Sequence, residues 1–303
     1  MSTLSKKYKS ILPALAALGA VGGTALLANS FYRHPTATLV TMARVGMRLS
    51  GVREDTCMVN GLPMHYYSAG RRGTPIILIH GLGNSAEIWS SLIALLSKDF
   101  LVYAPDMPGF GKTPLAPEGV TIRTHVQYLK HFIDALGYPH VTLVGNSLGG
   151  WIATQYAVAY PASVEHLYLL NSAGLRREEM NSPYAVSRAE AQRSANHILG
   201  FSFPLPGFVL DDIVRTSQMT AYSGFVKGYD RQEELESVLS LVQVPTTIIW
   251  GERDKIFPVS CAYDLQTGIA NAELRLLPKI GHMPQVQAPF EVARIIREHK
   301  KPD

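Results

Sequence analysis

The residues best placed to do chemistry lie in the octapeptide LVGNSLGG at 143–150. The apolar run before it predicts a buried strand, and a helix is predicted to start near Leu148. In a Gly-x-Ser-x-Gly turn the glycines avoid a clash where strand and helix pass closely, and the serine at the apex is strained. Ser147 would then expose its hydroxyl beside a helix N-terminus, which favours developing negative charge. A tightly packed helix start without a catalytic role is the alternative interpretation. Residues that could activate Ser147 distinguish the two.

A serine hydroxyl becomes a nucleophile when a base takes its proton and a third group orients that base. His282 lies in a loop after the last predicted strand, and Asp254 lies after the strand before it. Both residues therefore share with Ser147 the carboxyl edge of a parallel sheet, where open α/β sheets bind ligands. We predict Ser147 as nucleophile, His282 as base and Asp254 as orienting carboxylate, and we interpret Glu252 as a solvated turn charge.

Acyl transfer also needs hydrogen-bond donors for the oxyanion, and the sequence predicts two backbone N–H groups. One belongs to Leu148, at the helix start after the nucleophile. The other belongs to Leu82, between two glycines after the strand that ends at His80. We expect His80 to brace this loop by hydrogen bonding and Asp106 to form a turn.

Apolar strands that alternate with helices predict an α/β fold with a mostly parallel central sheet covered by helices on both faces. An antiparallel hairpin precedes this pattern. The predicted strands are 57–60, 64–68, 75–80, 100–104, 141–144, 166–170, 246–250 and 273–277, and the predicted core helices are 85–97, 122–136, 148–159, 259–268 and 289–298.

The alternation stops between residues 173 and 241, which predicts a helical cap inserted between core segments 53–172 and 242–303. Helices are predicted at 188–198, 211–219 and 232–242. Aromatic and methionine side chains suggest an apolar substrate channel. Its predicted members are Phe201, Phe203, Phe208, Met219 and, beside the base, Met283.

Residues 11–29 carry no charge and follow Lys6, Lys7 and Lys9. Nineteen helical residues span about 28 Å, close to the roughly 30 Å of a bilayer core, so residues 1–30 are predicted to hold a membrane segment. A secretory signal cleaved near Ala28-x-Ser30 and a buried soluble helix are the alternatives. The positive-inside tendency places the catalytic domain on the non-cytoplasmic side, either anchored or, after cleavage, secreted.

Residues 31–52 form the predicted linker between this segment and the core. Apolar residues recur at helical spacing over 36–49, with Arg44 and Arg48 on the other face. The segment is predicted to lie on a membrane surface or to pack on the domain, and the sequence does not choose between these.

Composition excludes several other classes of protein. The chain has 303 residues with 47% hydrophobic residues and a formal net charge of +4, which excludes a disordered chain. No basic patch is interleaved with aromatic residues, so nucleic acid is not an expected partner. Cys57 and Cys261 have no metal-ligand spacing, and whether they pair is left open.

Five motifs follow one another along the chain: HGLG at 80–83, DMPGFG at 106–111, GNSLGG at 145–150, WGERD at 250–254 and GH at 281–282. In this order they look like the motifs of an α/β-hydrolase-fold serine hydrolase, and the resemblance covers about residues 53–300. Within that family the chain resembles the membrane-associated monoacylglycerol lipases and the bacterial lipase-1-type esterases, which implies hydrolysis of acyl-lipid esters without a metal or organic cofactor.

Single residues distinguish between the other reactions that enzymes of this fold catalyse. Dehalogenases and epoxide hydrolases carry an aspartate at the elbow, so Ser147 argues against both. Meta-cleavage-product hydrolases, which break a carbon–carbon bond, also use GNSxGG, but they usually have a tryptophan where Met283 follows the histidine. A non-catalytic ligand-binding protein of the same fold is the third alternative.

Overall fold

The computed structural model describes residues 28–176, 185–218, 224 and 233–299. Eight strands form one sheet in the order β1-β2-β4-β3-β5-β6-β7-β8. The β1–β2 and β2–β4 pairs are antiparallel, and every other neighbouring pair is parallel. The strands are β1 Arg53–Val59, β2 Leu62–Ala69, β3 Pro75–Ile79, β4 Leu101–Pro105, β5 Val141–Asn146, β6 Val164–Leu170, β7 Thr246–Gly251 and β8 Ala272–Leu277.

Helices follow most of the parallel strands, as the alternating pattern predicts. The 3₁₀ turns with described bounds lie at Ala86–Trp89, Pro161–Ser163 and Leu239–Leu241. The α-helices with described bounds are α1 Pro35–Leu49, α2 Ser90–Leu96, α3 Ile122–Leu136, α4 Leu148–Ala159, α5 Arg188–Leu199, α6 Gly207–Ser217, α7 Ser260–Gly268, α8 Pro284–Gln287 and α9 Pro289–Glu298.

The central strands are buried on both faces, and their side chains alternate between two cores. In β3, Ile77 and Ile79 belong to a core with residues of α3, α4 and α7. Ile76 and Leu78 belong to a second core with residues of α1, α2 and α9. This period of two, with helices on each face, is the geometry of a covered parallel sheet. The predicted fold class is therefore correct for the core.

The hairpin turn is tighter than the sequence analysis predicts. Val59 pairs with Leu62, so the loop is the two residues Asn60 and Gly61, not 61–63. Both have positive φ, +48° and +79°, as a type I′ turn requires.

Two predicted helices differ in the structure. The segment 85–97 divides into a 3₁₀ turn and α2, and the Ala86 N–H donates to the Asp106 carboxylate over 2.7 Å. The predicted helix 232–242 is wrong where it is described, because residues 233–242 hold a 3₁₀ turn and no α-helix. There the Leu235 N–H donates to Gly174 O over 2.9 Å and its side chain is buried, so core contacts override the helical spacing.

Two cap helices, α5 and α6, lie within the predicted insertion 173–241 and pack on each other around Ala185, Ala191 and Leu210. Helix α1 packs one side on the domain through Met47, as one of the two alternatives for the linker predicts. Cys57 and Cys261 do not form a disulfide with each other.

The predicted membrane segment 11–29 lies outside the described residues except for Ala28 and Asn29. Among the helices that the structure describes, none has the length and apolar character to cross a bilayer. Membrane attachment therefore stays a prediction.

Candidate active site

Ser147 sits at a sharp turn between β5 and α4. Its backbone has φ +55° and ψ −120°, a strained conformation for a residue with a side chain. Hydrogen bonds on both sides hold the strain: the Ser147 N–H donates to Leu170 O over 3.1 Å, and Ser147 O accepts from the N–H groups of Gly150 and Ala173 over 2.9 and 3.0 Å. The turn is the nucleophile elbow that the sequence motif predicts.

The glycines around Ser147 are needed because backbone lies against them. A Cβ on Gly145 would come within 2.3 Å of Gly149 O, and a Cβ on Gly149 would come within 2.0 Å of Ile79 O. Contacts under 3.0 Å with backbone atoms cannot be relieved by side-chain rotation. The steric purpose predicted for these glycines is confirmed.

His282 and Asp254 are brought together from loops after β8 and β7. His282 Nδ1 lies 2.8 Å from Asp254 Oδ2, and both side chains are largely buried. A carboxylate only accepts, so Nδ1 carries the proton and donates. The neutral imidazole then keeps Nε2 free as the acceptor that a general base needs.

The Asp254 carboxylate accepts hydrogen bonds from four donors. Oδ1 accepts from the N–H groups of Ile256 and Phe257 over 2.7 and 3.1 Å. Oδ2 accepts from His282 and from Asn171 Nδ2, the latter over 2.7 Å. A carboxylate satisfied in this way stays in one orientation and passes that orientation to the imidazole.

Asn171 is a site residue that the sequence analysis did not assign. It follows β6 directly, is fully buried and has φ +43°. Besides its bond to Asp254, its Oδ1 accepts from the Gly251 N–H over 3.0 Å, which joins the ends of β6 and β7. The available signal was an asparagine directly after a buried strand, since asparagine tolerates left-handed backbone.

A second buried asparagine, Asn146, joins the elbow to the histidine loop. Its Nδ2 donates to His282 O over 3.2 Å, and its Oδ1 accepts from Gln285 Nε2 over 2.9 Å. In the described chain Ser147 Oγ makes no hydrogen bond to the His282 ring. Catalytic hydrogen bonds of this kind often form only with substrate bound.

The predicted oxyanion loop lies beside the elbow. A Cβ on Gly81 would come within 3.1 Å of Ser147 Cβ, which brings the loop with Leu82 close to the nucleophile. Leu148 is the first residue of α4, so its N–H has no acceptor within the helix. Both N–H groups therefore remain candidate oxyanion donors.

His80 and Asp106 brace this loop. The His80 ring donates from Nδ1 to Gly81 O over 2.9 Å and accepts at Nε2 from the Met107 N–H over 3.0 Å. Burial lowers the pKa of His80, which keeps the ring neutral. Burial alone would raise the pKa of Asp106, but hydrogen bonding from His65 and further donors lowers it below 3.8. These contacts match the bracing and turn-forming roles expected for the two residues.

The carboxyl end of cap helix α5 contacts the loops of both predicted partners. The His282 N–H donates to Ile198 O over 2.8 Å, and the Lys255 N–H donates to His197 O over 3.3 Å. Gln287 Nε2 also donates to Leu199 O over 3.0 Å. Hydrogen bonds therefore connect cap helix α5 directly to the loops that carry Asp254 and His282.

The predicted substrate channel is placed only in part. Phe201 and Phe203 are exposed, and the Phe208 ring lies 6.0 and 4.9 Å from those of Phe31 and Tyr32. Met283 is half-buried beside His282. Met219 lies outside the described residues. An acyl channel built from these side chains stays a prediction.

The family profile of the alpha/beta hydrolase fold matches residues 74–202. Over 249 residues the chain is 30% identical to a 2-hydroxy-6-oxo-6-(2'-aminophenyl)hexa-2,4-dienoic acid hydrolase of Metapseudomonas resinovorans, covering 77% of this chain and 86% of that protein. It is 28% identical to the monoacylglycerol lipase ABHD6 of Homo sapiens over 259 residues, covering 76% and 77%.

A solved structure of a membrane phospholipase A, a bacterial virulence factor, has a TM-score of 0.77 at 26% identity and covers 96% of this chain and 97% of that one. The family profile includes the elbow, and the membrane phospholipase A structure covers nearly the whole chain. The chain therefore belongs to the α/β-hydrolase fold family, whose serine hydrolases it resembles in sequence and structure.

Proposed function

We propose that the protein is a carboxylic ester hydrolase acting on acyl lipids, with monoacylglycerol-like substrates. The observation that carries this proposal is the strained Ser147 elbow beside an Asp254–His282 pair whose free imidazole nitrogen can act as a base. The similarity to a monoacylglycerol lipase and a membrane phospholipase A supports the lipid substrate class.

The mechanism assigns each residue one task. Ser147 Oγ attacks the ester carbonyl carbon while His282 Nε2 takes the hydroxyl proton. Asp254 keeps the imidazole oriented and stabilises its cation. The oxyanion of the tetrahedral intermediate accepts hydrogen bonds from the N–H groups of Leu82 and Leu148.

The intermediate collapses when the carbon–oxygen bond to the leaving alcohol breaks. The alcohol oxygen takes the proton from His282, which leaves an acyl ester on Ser147. Water then attacks this ester and gives a proton to His282. That proton returns to Ser147 Oγ as the carboxylic acid is released.

We further propose that residues 11–29 attach the protein to a membrane, with the catalytic domain on the non-cytoplasmic side. The charge-free sequence after three lysines supports this. Detergent fractionation of the full-length protein, compared with a chain lacking residues 1–30, tests it. Release of both proteins without detergent would contradict the attachment.

A carbon–carbon bond hydrolase is the second candidate, because the chain is 30% identical to a dienoic acid hydrolase. A substrate panel separates the candidates: p-nitrophenyl esters of several chain lengths, a monoacylglycerol and a dienoic ring-fission product, each with the Ser147→Ala variant as control. We expect Ser147-dependent hydrolysis of the esters and the monoacylglycerol. Activity confined to the dienoic acid would contradict the proposal.

A further inference from the structure

Helix α1 carries large apolar side chains on the face that points away from the domain. Leu39, Met42, Val45 and Leu49 are between 52% and 84% exposed. Their spacing of three, three and four residues places them in one stripe along the whole helix. We call these four side chains the α1 stripe.

The inward face of α1 is held largely by polar contacts. Arg44 Nε donates to Glu87 Oε1 over 2.6 Å, and the Thr36 N–H donates to Asp212 Oδ2 over 2.6 Å. Met47 is the large apolar side chain of this helix that is buried. An amphipathic helix of a globular protein normally turns its apolar side inward, so the outward stripe indicates a surface that contacts something apolar.

The chain before α1 indicates what that surface contacts. Residues 28–33 are helical and lead into α1, and the charge-free run 11–29 ends only six residues before Pro35. Tyr32 is 64% exposed at this end, and exposed tyrosines are enriched where protein meets the lipid headgroups. The stripe therefore continues from a segment whose composition suits lipid.

Basic residues lie at the other end of the helix. Ser50 and Gly51, directly after α1, line an open cleft of about 600 Å³ together with Arg53, Arg71, Arg72 and Lys98. A helix of 15 residues is about 22 Å long. The basic cleft therefore lies about one helix length from the charge-free run that precedes α1. With that run in a bilayer, the cations of the cleft would reach the lipid phosphates only if α1 lay parallel to the membrane surface.

We propose that α1 lies flat in the headgroup region of a lipid bilayer, with the α1 stripe among the upper acyl chains and the basic cleft against lipid phosphates. This proposal rests on the membrane attachment proposed above and adds an orientation to it. The domain then contacts the membrane along the whole length of α1, and not only through the segment that precedes this helix.

The test uses the full-length protein in a Cys57→Ser background with Leu39→Cys, Met42→Cys or Leu49→Cys, each labelled with an environment-sensitive fluorophore. Each protein is mixed with vesicles of phosphatidylcholine and phosphatidylglycerol, with and without brominated acyl chains. The matched control is Tyr263→Cys, which is about half exposed on α7, against the opposite face of the sheet.

We expect brominated lipid to quench all three stripe labels several-fold more than the control label, and vesicles to protect them from aqueous iodide. Arg71→Glu with Arg72→Glu should reduce lipid quenching at position 49 more than at position 39. Quenching at 39 with a water-exposed label at 49 would contradict the flat orientation.

Iodide protection of the stripe labels without vesicles would also overturn the proposal, because another segment or a second copy would then cover the stripe. The readout does not depend on catalysis and should be the same in a Ser147→Ala variant. Loss of hydrolysis therefore bears on the proposed function alone, whereas a water-exposed stripe in vesicle-bound, active enzyme bears on this inference alone.

Discussion

At the scale of single residues, the orientation of the His282 imidazole depends on the Asp254 carboxylate, which is itself held by buried hydrogen-bond donors. Asn171 is the one side-chain donor to Asp254 besides His282 among the described residues. Its second hydrogen bond, to the Gly251 N–H, ties it to the strand from which Asp254 follows. We infer that Asn171 is a positioning residue for the pair.

Replacing Asn171 by Ala should lower kcat by about 10²-fold with a smaller effect on KM, since misplacement of a catalytic group by about 1 Å has that consequence. Steady-state kinetics well below the unfolding temperature measure this. The matched control is Ser172→Ala, because the Ser172 hydroxyl bonds to Ala173 O and not to Asp254. Equal kcat values for the two variants would contradict the positioning role.

At the scale of elements, the close packing of β3, β5 and α4 is what presents Ser147. Gly149 of α4 lies against the carbonyl of Ile79 at the end of β3. The geometry of the elbow therefore depends on a close contact between two backbone segments.

Gly149→Ala should reduce the free energy of unfolding by about 3 kcal/mol, because its Cβ would meet Ile79 O at 2.0 Å. Gly46→Ala is the control, since nothing lies within 4 Å of a Cβ there; alanine in an exposed helix should stabilise by about 0.5–1 kcal/mol. Urea unfolding measures both. Similar values for the two variants would show that the tight contact at Gly149 is absent.

Elements with local signals were predictable from the sequence. Helix α3 has the predicted bounds because the Thr121 side chain caps its N-terminus and Gly137 ends it in left-handed backbone. The course of residues 233–242 was not predictable, because their apolar spacing also fits a helix and contacts with Gly174 decide the outcome.

The residues of the candidate site also fall into those that the sequence predicted and those that it did not. Motifs and chain order indicated Ser147, Asp254 and His282. The roles of Asn171, Asn146 and Gln285 were not predictable, because each depends on the hydrogen-bond partner that the folded sheet brings from at least 80 residues away.

At the scale of the whole molecule, buried histidines couple stability to pH. His125 is fully buried in α3, with its ring nitrogens near Thr121 O and Pro108 O. Burial lowers the pKa of His125 from 6.5 to about 4. The unfolded chain therefore binds a proton between these pH values that the folded chain does not.

Stability from neutral His125 should be fully present above pH 6.5 and lost as pH falls through about 4. The loss is on the order of 3 kcal/mol for this group. His125→Gln, which does not titrate, should flatten the decline in the free energy of unfolding measured by urea titration across this range. Part of the slope should remain, because burial also lowers the pKa of His166 to about 4. An unchanged slope in the variant would contradict this assignment.

The central claim is that Ser147 is an activated nucleophile, and covalent labelling tests it most directly. Full-length protein is treated with a fluorophosphonate probe, and the labelled peptide is identified by mass spectrometry. We expect one adduct, on Ser147, that is lost in Ser147→Ala and strongly slowed in His282→Ala. Folded protein that hydrolyses esters yet carries no label on Ser147 would contradict the account.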